Sequence, residues 1–324
     1  MRTKRFTAVV VSGLLIMAAA CTRNDPANQD DAAASDYPSR PLDMTVAFGA
    51  GGGVDIMSRT ISKLLTENDL YPGDISVTNR EGGSGSKGYG YVFNRKGSAY
   101  DMTATSGSFI STPIQASTPW SATGFTPIAL LGTDEDVVWV NADSPWKSLD
   151  DLVKASKSTP LTVGGAGLTT IDFIAFKQFA DVAGVKFKYV AHDSGPEAAN
   201  SLLSGSINVL SHSASSLYGL YKSGDIRPLA IGGVDRLDQL PDTPTFHELG
   251  YEITVSQPRG LVMPPDVPDE VVQWWQDAVT KLVELPEWKD YLKQNFVSER
   301  VLVGKDFADY LKETVAGYTQ ALNA

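Results

Sequence analysis

The sequence predicts an α/β fold of two α/β domains facing one another across a cleft. Three observations carry this expectation. Short apolar strands alternate with amphipathic helices from Tyr37 onward, the pattern of βαβ units. Two distant stretches, MTVAFGAGGGVDIMSRTISKLL from residue 44 and LTVGGAGLTTIDFIAFKQFADVAG from residue 161, each run from strand through a glycine turn into helix. A chain of 324 residues with 42% hydrophobic content is large enough to bury two medium-sized cores.

The elements follow in order. Arg2, Lys4 and Arg5 precede the apolar run AVVVSGLLIMAAA and then Cys21, the layout of a secretory signal and too short to span a bilayer comfortably. Cys21 directly after small residues is the arrangement of a bacterial lipobox, although Ala18 stands where leucine is commoner. Ordinary cleavage near Ala18–Ala20 is the alternative. The expectation is a signal over 1–21, lipidated Cys21, and a polar tether over 22–36 without periodicity. The folded part then sits outside the cytoplasm, anchored by lipid.

LDMTVAF places Leu42, Met44, Val46 and Phe48 on one strand face, and the next helix groups Ile56, Thr60, Ile61, Leu64 and Leu65. DISVTNR, DMTATSG, FTPIALLGT and DVVWVNAD read as further strands, with a helix after the glycine loop EGGSGSKGYG. Ser148 caps a helix over SLDDLVKAS. The second glycine turn opens a helix with Phe173, Phe176, Phe179 and Ala180 inward. Gly205 and Gly224 mark helix ends. Helices around PDEVVQWWQDAVTKLVELP, over 287–295 and after Gly304 close the chain.

A net charge of −11 argues against a non-specific nucleic-acid binder. One cysteine excludes an intrachain disulfide framework, and three scattered histidines do not suggest a metal cluster. Nucleotide motifs fail: Val54 stands where a dinucleotide fingerprint needs glycine or alanine, and Lys87 follows Ser86 rather than glycine. There is no G-x-S-x-G elbow. No catalytic residue, metal or cofactor is expected.

The glycine turns can do chemistry of another kind. A helix N-terminus carries unsatisfied amides and a partial positive charge, and glycine lets an anion approach them. The run Phe48, Gly49, Ala50, Gly51, Gly52, Gly53 and Asp55 is thus a candidate carboxylate cradle, or simply a tight turn. Asp55 either complements the helix dipole or meets ligand. Thr169 and Thr170 either cap the second helix or offer hydroxyls. His192 and His212 fall in loops just after strands, either solvated or reaching ligand. Arg259 is the best cation for a fixed carboxylate through two parallel hydrogen bonds, or else an interdomain salt bridge.

YPSRPLDMTVAFGAGGGVDIMSRTISKLL resembles the mature start of the tripartite tricarboxylate transporter receptors, the Bug family of extracytoplasmic solute-binding proteins. NREGGSGSKGYGYV, VNADSPWKSLDDLV, LTVGGAGLTT, YVAHDSGPEAANSLLSGSINV, GDIRPLAIGGVDRLDQLPDTPTFHELGYE and GLVMPPDVPDEVV follow in the family's order. The resemblance implies a periplasmic-binding-protein fold whose two domains hinge shut on a ligand between them. It implies capture of a small carboxylate and delivery to a permease of one large and one small membrane subunit. A grip from both domains would suit a di-, tri- or aromatic carboxylate, and a monomer is expected. Carried over, the ligand loops are Phe48–Asp55, Ser106–Gly107–Ser108 with Gly82–Gly85 nearby, Gly165–Thr170, His192–Asp193–Gly195, the surroundings of His212, and Arg259. Domain 1 is then 37–140 with 256–324, and domain 2 is 141–255. The first loop lacks the family's common prolines, and His212 falls where aspartate or glycine is usual. A hydrolase using a cleft histidine and the ligand-binding subunit of a sensor are the competing expectations.

Overall fold

The computed structural model describes residues 37–166, 170–192, 194–253 and 255–323. The expected signal, the expected lipidation at Cys21 and the expected tether fall outside the described residues.

The first βαβ series comprises β1 (Leu42–Val46), α1 (Gly53–Glu67), β2 (Ile75–Asn79), α2 (Ser86–Phe93), β3 (Asp101–Ala104) and α3 (Gly107–Gln115). β1 lies between β2 and β3, parallel to both. Leu42, Met44 and Val46 are buried, as the period-two pattern requires, against Met57, Ile61, Leu64 and Leu65 of α1. Ile56, expected on that helix face, is instead 40% exposed, because the buried stripe is centred on Val54, Met57 and Ile61.

The two strands expected from FTPIALLGT and DVVWVNAD are one, β4 (Thr126–Asn141), sixteen residues long. Charge at Asp134, Glu135 and Asp136 looks like a break, yet all three are buried within the strand. The second series is α4 (Leu149–Ser156), β5 (Leu161–Ala166), α5 (Ile171–Ala183), β6 (Phe187–His192), α6 (Gly195–Leu203), β7 (Val209–Ser213), α7 (Ala214–Ser223) and β8 (Ile226–Ile231). Ser148 caps α4 in a reciprocal pair with Asp151, as its sequence suggested. Gly224 ends α7 in the left-handed region. The chain returns through β9 (Ser256–Met263), α8 (Asp269–Leu282), α9 (Pro286–Gln294), β10 (Val297–Val303) and α10 (Lys305–Asn323).

Strand order is β2-β1-β3-β9-β4-β7-β5-β6, with β8 and β10 also paired to β4. Both outer series are parallel; β4 and β9 join them with antiparallel pairing. Along β4 the partner changes: Glu135 sits opposite Ser256 of β9, and Asp136 opposite Ser213 of β7. Carboxyl ends of the parallel strands on both sides therefore point toward this change of partner. Val138 and Val140 enter the core under α4 and α5, while Val137 and Trp139 enter the core under α6 and α7. Phe176 and Phe179 are buried as expected, and Phe173 is only half-buried. Trp275 is fully buried in the core beneath α8 and Trp274 packs partly against it.

Candidate functional site

The turn between β1 and α1 leaves Ala50, Gly51, Gly52 and Gly53 exposed. Gly52 precedes α1 without a side-chain cap, so the helix begins with bare amides. Gly51 sits at φ 81°, the left-handed region that a side chain would strain. Asp55 does not face outward: it is 3% exposed and accepts the Gly51 amide at 2.8 Å. Arg59 and Asn79 also donate to its carboxylate, and Asn79 donates to the Phe48 carbonyl. The Arg59 hydrogen bond holds Asp55 at about 2, well below the usual carboxylate range. Asp55 therefore shapes the turn from within.

The other loops of this series gather around Tyr89. Its ring stands edge-on to Phe48 at 6.2 Å, and its hydroxyl lies 2.9 Å from Ser106 Oγ. Ser106 caps α3 by accepting the Phe109 amide. Gly107 faces the Gln257 side chain, 3.3 Å from where a Cβ would sit. A Cβ on Gly85 would press on Tyr89 and Phe48, so the Gly82–Gly85 loop belongs to the same corner. Ser108 is half-buried beside Gly107.

The second turn repeats the first one's device. Asp172, in the first turn of α5, accepts the Ala166 amide at 2.7 Å, as Asp55 accepts that of Gly51. Thr170 stands at the N-cap of α5 without capping it, because its hydroxyl donates to the Ala166 carbonyl instead. Thr169 and Asp193 lie outside the described residues. Gly165 is buried, and a Cβ there would collide with the Tyr189 hydroxyl and approach Asp172 Cβ at 2.7 Å. Its need for glycine is close packing, whatever the ligand.

Both histidines lie within strands rather than in the loops after them: His192 closes β6 and His212 lies inside β7. Edge pairing with β5 and β4 extends one or two residues further than the apolar pattern suggests. His192 Nε2 pairs with Ser201 Oγ at 2.9 Å. His212 Nδ1 lies 2.7 Å from Asp172 Oδ2, and a Cβ on Gly195 would collide with its Nε2. Burial opposes charge on His212, but the Asp172 hydrogen bond and nearby Asp136 outweigh it and raise its pKa.

Arg259, on β9, stands beside the first series. It is 8% exposed, its Nη2 lies 2.5 Å from Asp134 Oδ2, and the same Nη2 is 3.3 Å from where a Gly53 Cβ would sit. The guanidinium thus stands beside the bare start of α1, paired to an acid of β4. That pair lies wholly on the β4–β9 ladder, which corrects the expected interdomain bridge. Asp136, two residues on, accepts from Ser211 and feels both Asp172 and His212. Burial, reinforced by Asp172, raises its pKa well above the carboxylate range. Glu135 points the other way, toward Thr133, and burial lifts it to about 7.

The structure therefore brings Phe48–Gly53, Ser106–Ser108 and Arg259 to one corner, and Thr170, Gly195 and His212 to a second, linked by Asp134 and Asp136. Asp134, Asp172, Asn79 and Tyr89 escaped sequence reasoning. Asp172 had a signal available: an aspartate shortly after a glycine turn, as in the first motif. Among the described residues no group of three His, Cys, Asp or Glu is placed to hold a metal ion. No described helix is long and apolar enough to cross a membrane.

Residues 69–322 match the family described as the tripartite tricarboxylate transporter family receptor. The chain is similar to protein BugT of Bordetella pertussis, 27% identical over 238 residues and covering 72% of each chain. It is similar to a TctC solute binding protein from Polaromonas solved without ligand, at 28% identity and TM-score 0.82, covering 89% of this chain and 99% of that one. R. palustris Rpa4515, solved with adipate, shares the fold at 21% identity and TM-score 0.72, over 89% of this chain and 98% of that one.

Proposed function

We infer the function from the family to which the chain belongs, the tripartite tricarboxylate transporter receptors. The chain is an extracytoplasmic receptor that captures a small carboxylate and hands it to a two-subunit permease, with Cys21 as the lipid anchor. The observation that carries this reading is the uncapped start of α1, with Arg259 fixed beside Gly53. Fixed amides beside a guanidinium whose charge Asp134 partly offsets offer a carboxylate donors that need no ordering on binding. The uncapped start of α5 takes the other end. The adipate in the R. palustris neighbour suggests a diacid as the class to try first.

Two-ended capture couples binding to closure. A ligand held by both series favours the state in which they approach, since those contacts exist only there. We take 37–140 with 256–324 as one lobe and 141–255 as the other, hinged where β4 changes partner. The closed pair of lobes gives the permease a surface that the open one lacks.

A hydrolase fits less well. The histidine that holds an acid, His212, has its far nitrogen against the Gly195 backbone, while the histidine that holds a serine, His192, has no partner at Nδ1 among the described residues. Neither assembles a serine, imidazole and orienting acid.

The test is a thermal-shift screen of carboxylic acids, followed by titration calorimetry. Melting temperature rises with acid concentration, and one equivalent of unaltered ligand binds. A panel of acids that leaves melting unmoved, while an uncharged solute raises it, overturns the reading.

A further inference from the structure

The seam between α5 and α10 holds a cavity of about 220 Å³ that shares no residue with the candidate cradle. Pockets for drug-sized ligands run to roughly 300–1,000 Å³, so this one suits a smaller solute. One face of α10 lines it, because Tyr310, Glu313, Thr314 and Gly317 recur at helical spacing. β10 contributes Arg300 and α5 contributes Gln178. Gly317 lets α5 come close: a Cβ there would stand 3.3 Å from Gln178 Nε2, and the Gln178 amide donates to the Gly317 carbonyl at 3.1 Å. The floor is polar and fixed, since Ser256 and Tyr318 are buried and the Tyr318 hydroxyl donates to the Ser256 carbonyl at 3.2 Å.

Two charges of opposite sign line this cavity, Arg300 and Glu313, and neither has an ion-pair partner among the described residues. The Arg300 guanidinium lies over the Tyr310 ring, 4.9 Å from its centroid, and its edge still has N–H donors to offer. Neighbouring charges are engaged elsewhere: Lys289 pairs with Glu299, and Lys312 with Asp309. Buried Glu135 also feels Arg300, but Thr133 donates to its carboxyl and burial lifts its pKa to about 7. Arg300 and Glu313 thus face one cavity, too far apart to pair directly.

We propose that this cavity is a second binding site, for a small zwitterion carrying a carboxylate and an ammonium group, of which an α-amino acid is the simplest. The carboxylate pairs with the Arg300 guanidinium and the ammonium with the Glu313 carboxylate. A ligand with one charge answers one side chain and leaves the other without a partner, so it binds less tightly. An occupant touches α5 as well as α10 and ties the two helices together. This inference goes beyond the carboxylate-receptor reading and does not depend on it.

Calorimetry of the full chain at neutral pH tests the site with glycine, L-alanine and L-valine, each beside its amide, which keeps the ammonium and lacks the carboxylate. Thermal melts verify that Arg300→Gln and Glu313→Gln fold. At least one zwitterion binds the wild type, fivefold or more tighter than its amide, and each variant weakens that zwitterion at least fivefold. A wild type that binds none of the three overturns the inference, as does an amide preference below fivefold. A smaller loss in either folded variant also overturns it, because the molecule then sits elsewhere. Failure of the carboxylic-acid screen bears on the receptor reading alone.

Discussion

Asp55 accepts the Gly51 amide at 2.8 Å, so the acid in the first helical turn fixes the glycine turn that leads into it. A buried carboxylate with Arg59, Asn79 and a backbone amide as partners is a preformed brace, and the turn it holds is the candidate ligand cradle.

Replacing this acid is expected to loosen the cradle. Asp55→Asn loses charge-assisted bonds worth about 1.5–3 kcal/mol. The sign with pH is definite. Because its folded pKa of about 2 lies below 3.8, Asp55 stabilises the fold above pH 3.8, and that contribution is lost as pH falls through 2. Urea melts of wild type and variant therefore converge at low pH and diverge toward neutrality.

Gly52→Ala separates geometry from binding. Gly52 has φ −76° and the nearest atom to a new Cβ is the Gly49 carbonyl at 3.6 Å, so alanine fits. Stability is expected to stay within about 1 kcal/mol of wild type. Carboxylate affinity is expected to fall tenfold or more, because the methyl group stands before the bare amides. A variant with wild-type affinity would remove this turn from the site.

The buried pair of Arg259 and Asp134 gives two opposite outcomes. Arg259→Ala strands Asp134 and is expected to cost about 3–5 kcal/mol, read by chemical denaturation. Asp134→Asn keeps an acceptor for the guanidinium but removes the neutralising charge. Calorimetry is expected to show tighter carboxylate binding in that variant, by several-fold.

Glu135 predicts the pH profile on the alkaline side of its usual range. Its folded pKa of about 7 exceeds the ordinary 4.5, so the native state holds the proton more tightly than the unfolded chain. Stability is then lost as pH rises from 4.5 to 7, by an amount on the order of 3 kcal/mol. Glu135→Gln is expected to flatten this part of the curve.

The strand-turn-helix units were legible because both periodicities are local: Leu42, Met44 and Val46 alternate, and α5 presents Phe176 and Phe179 one turn apart. What failed was tertiary. Asp134, Glu135 and Asp136 broke the apolar run of β4, and their partners Arg259 and Ser211 come from strands 125 and 75 residues away. β10 escaped because VSERVLV is half polar, as an edge strand can be. α3 escaped because it carries Pro113 and little amphipathic pattern. In the site, the glycine turns announced themselves, while the brace acids and the Asp172–His212 pair emerge only when α5 and β7 pack together.

The uninterrupted course of β4 bears on the mechanics of the proposed hinge. A flap on a slack linker swings freely and stores nothing. β4 is laced on both edges along its length, so rotation of one lobe must spread as torsion over many peptide units. If the two lobes hinge there as proposed, such a spine would act as a spring, resisting wide excursions and recoiling once a ligand leaves.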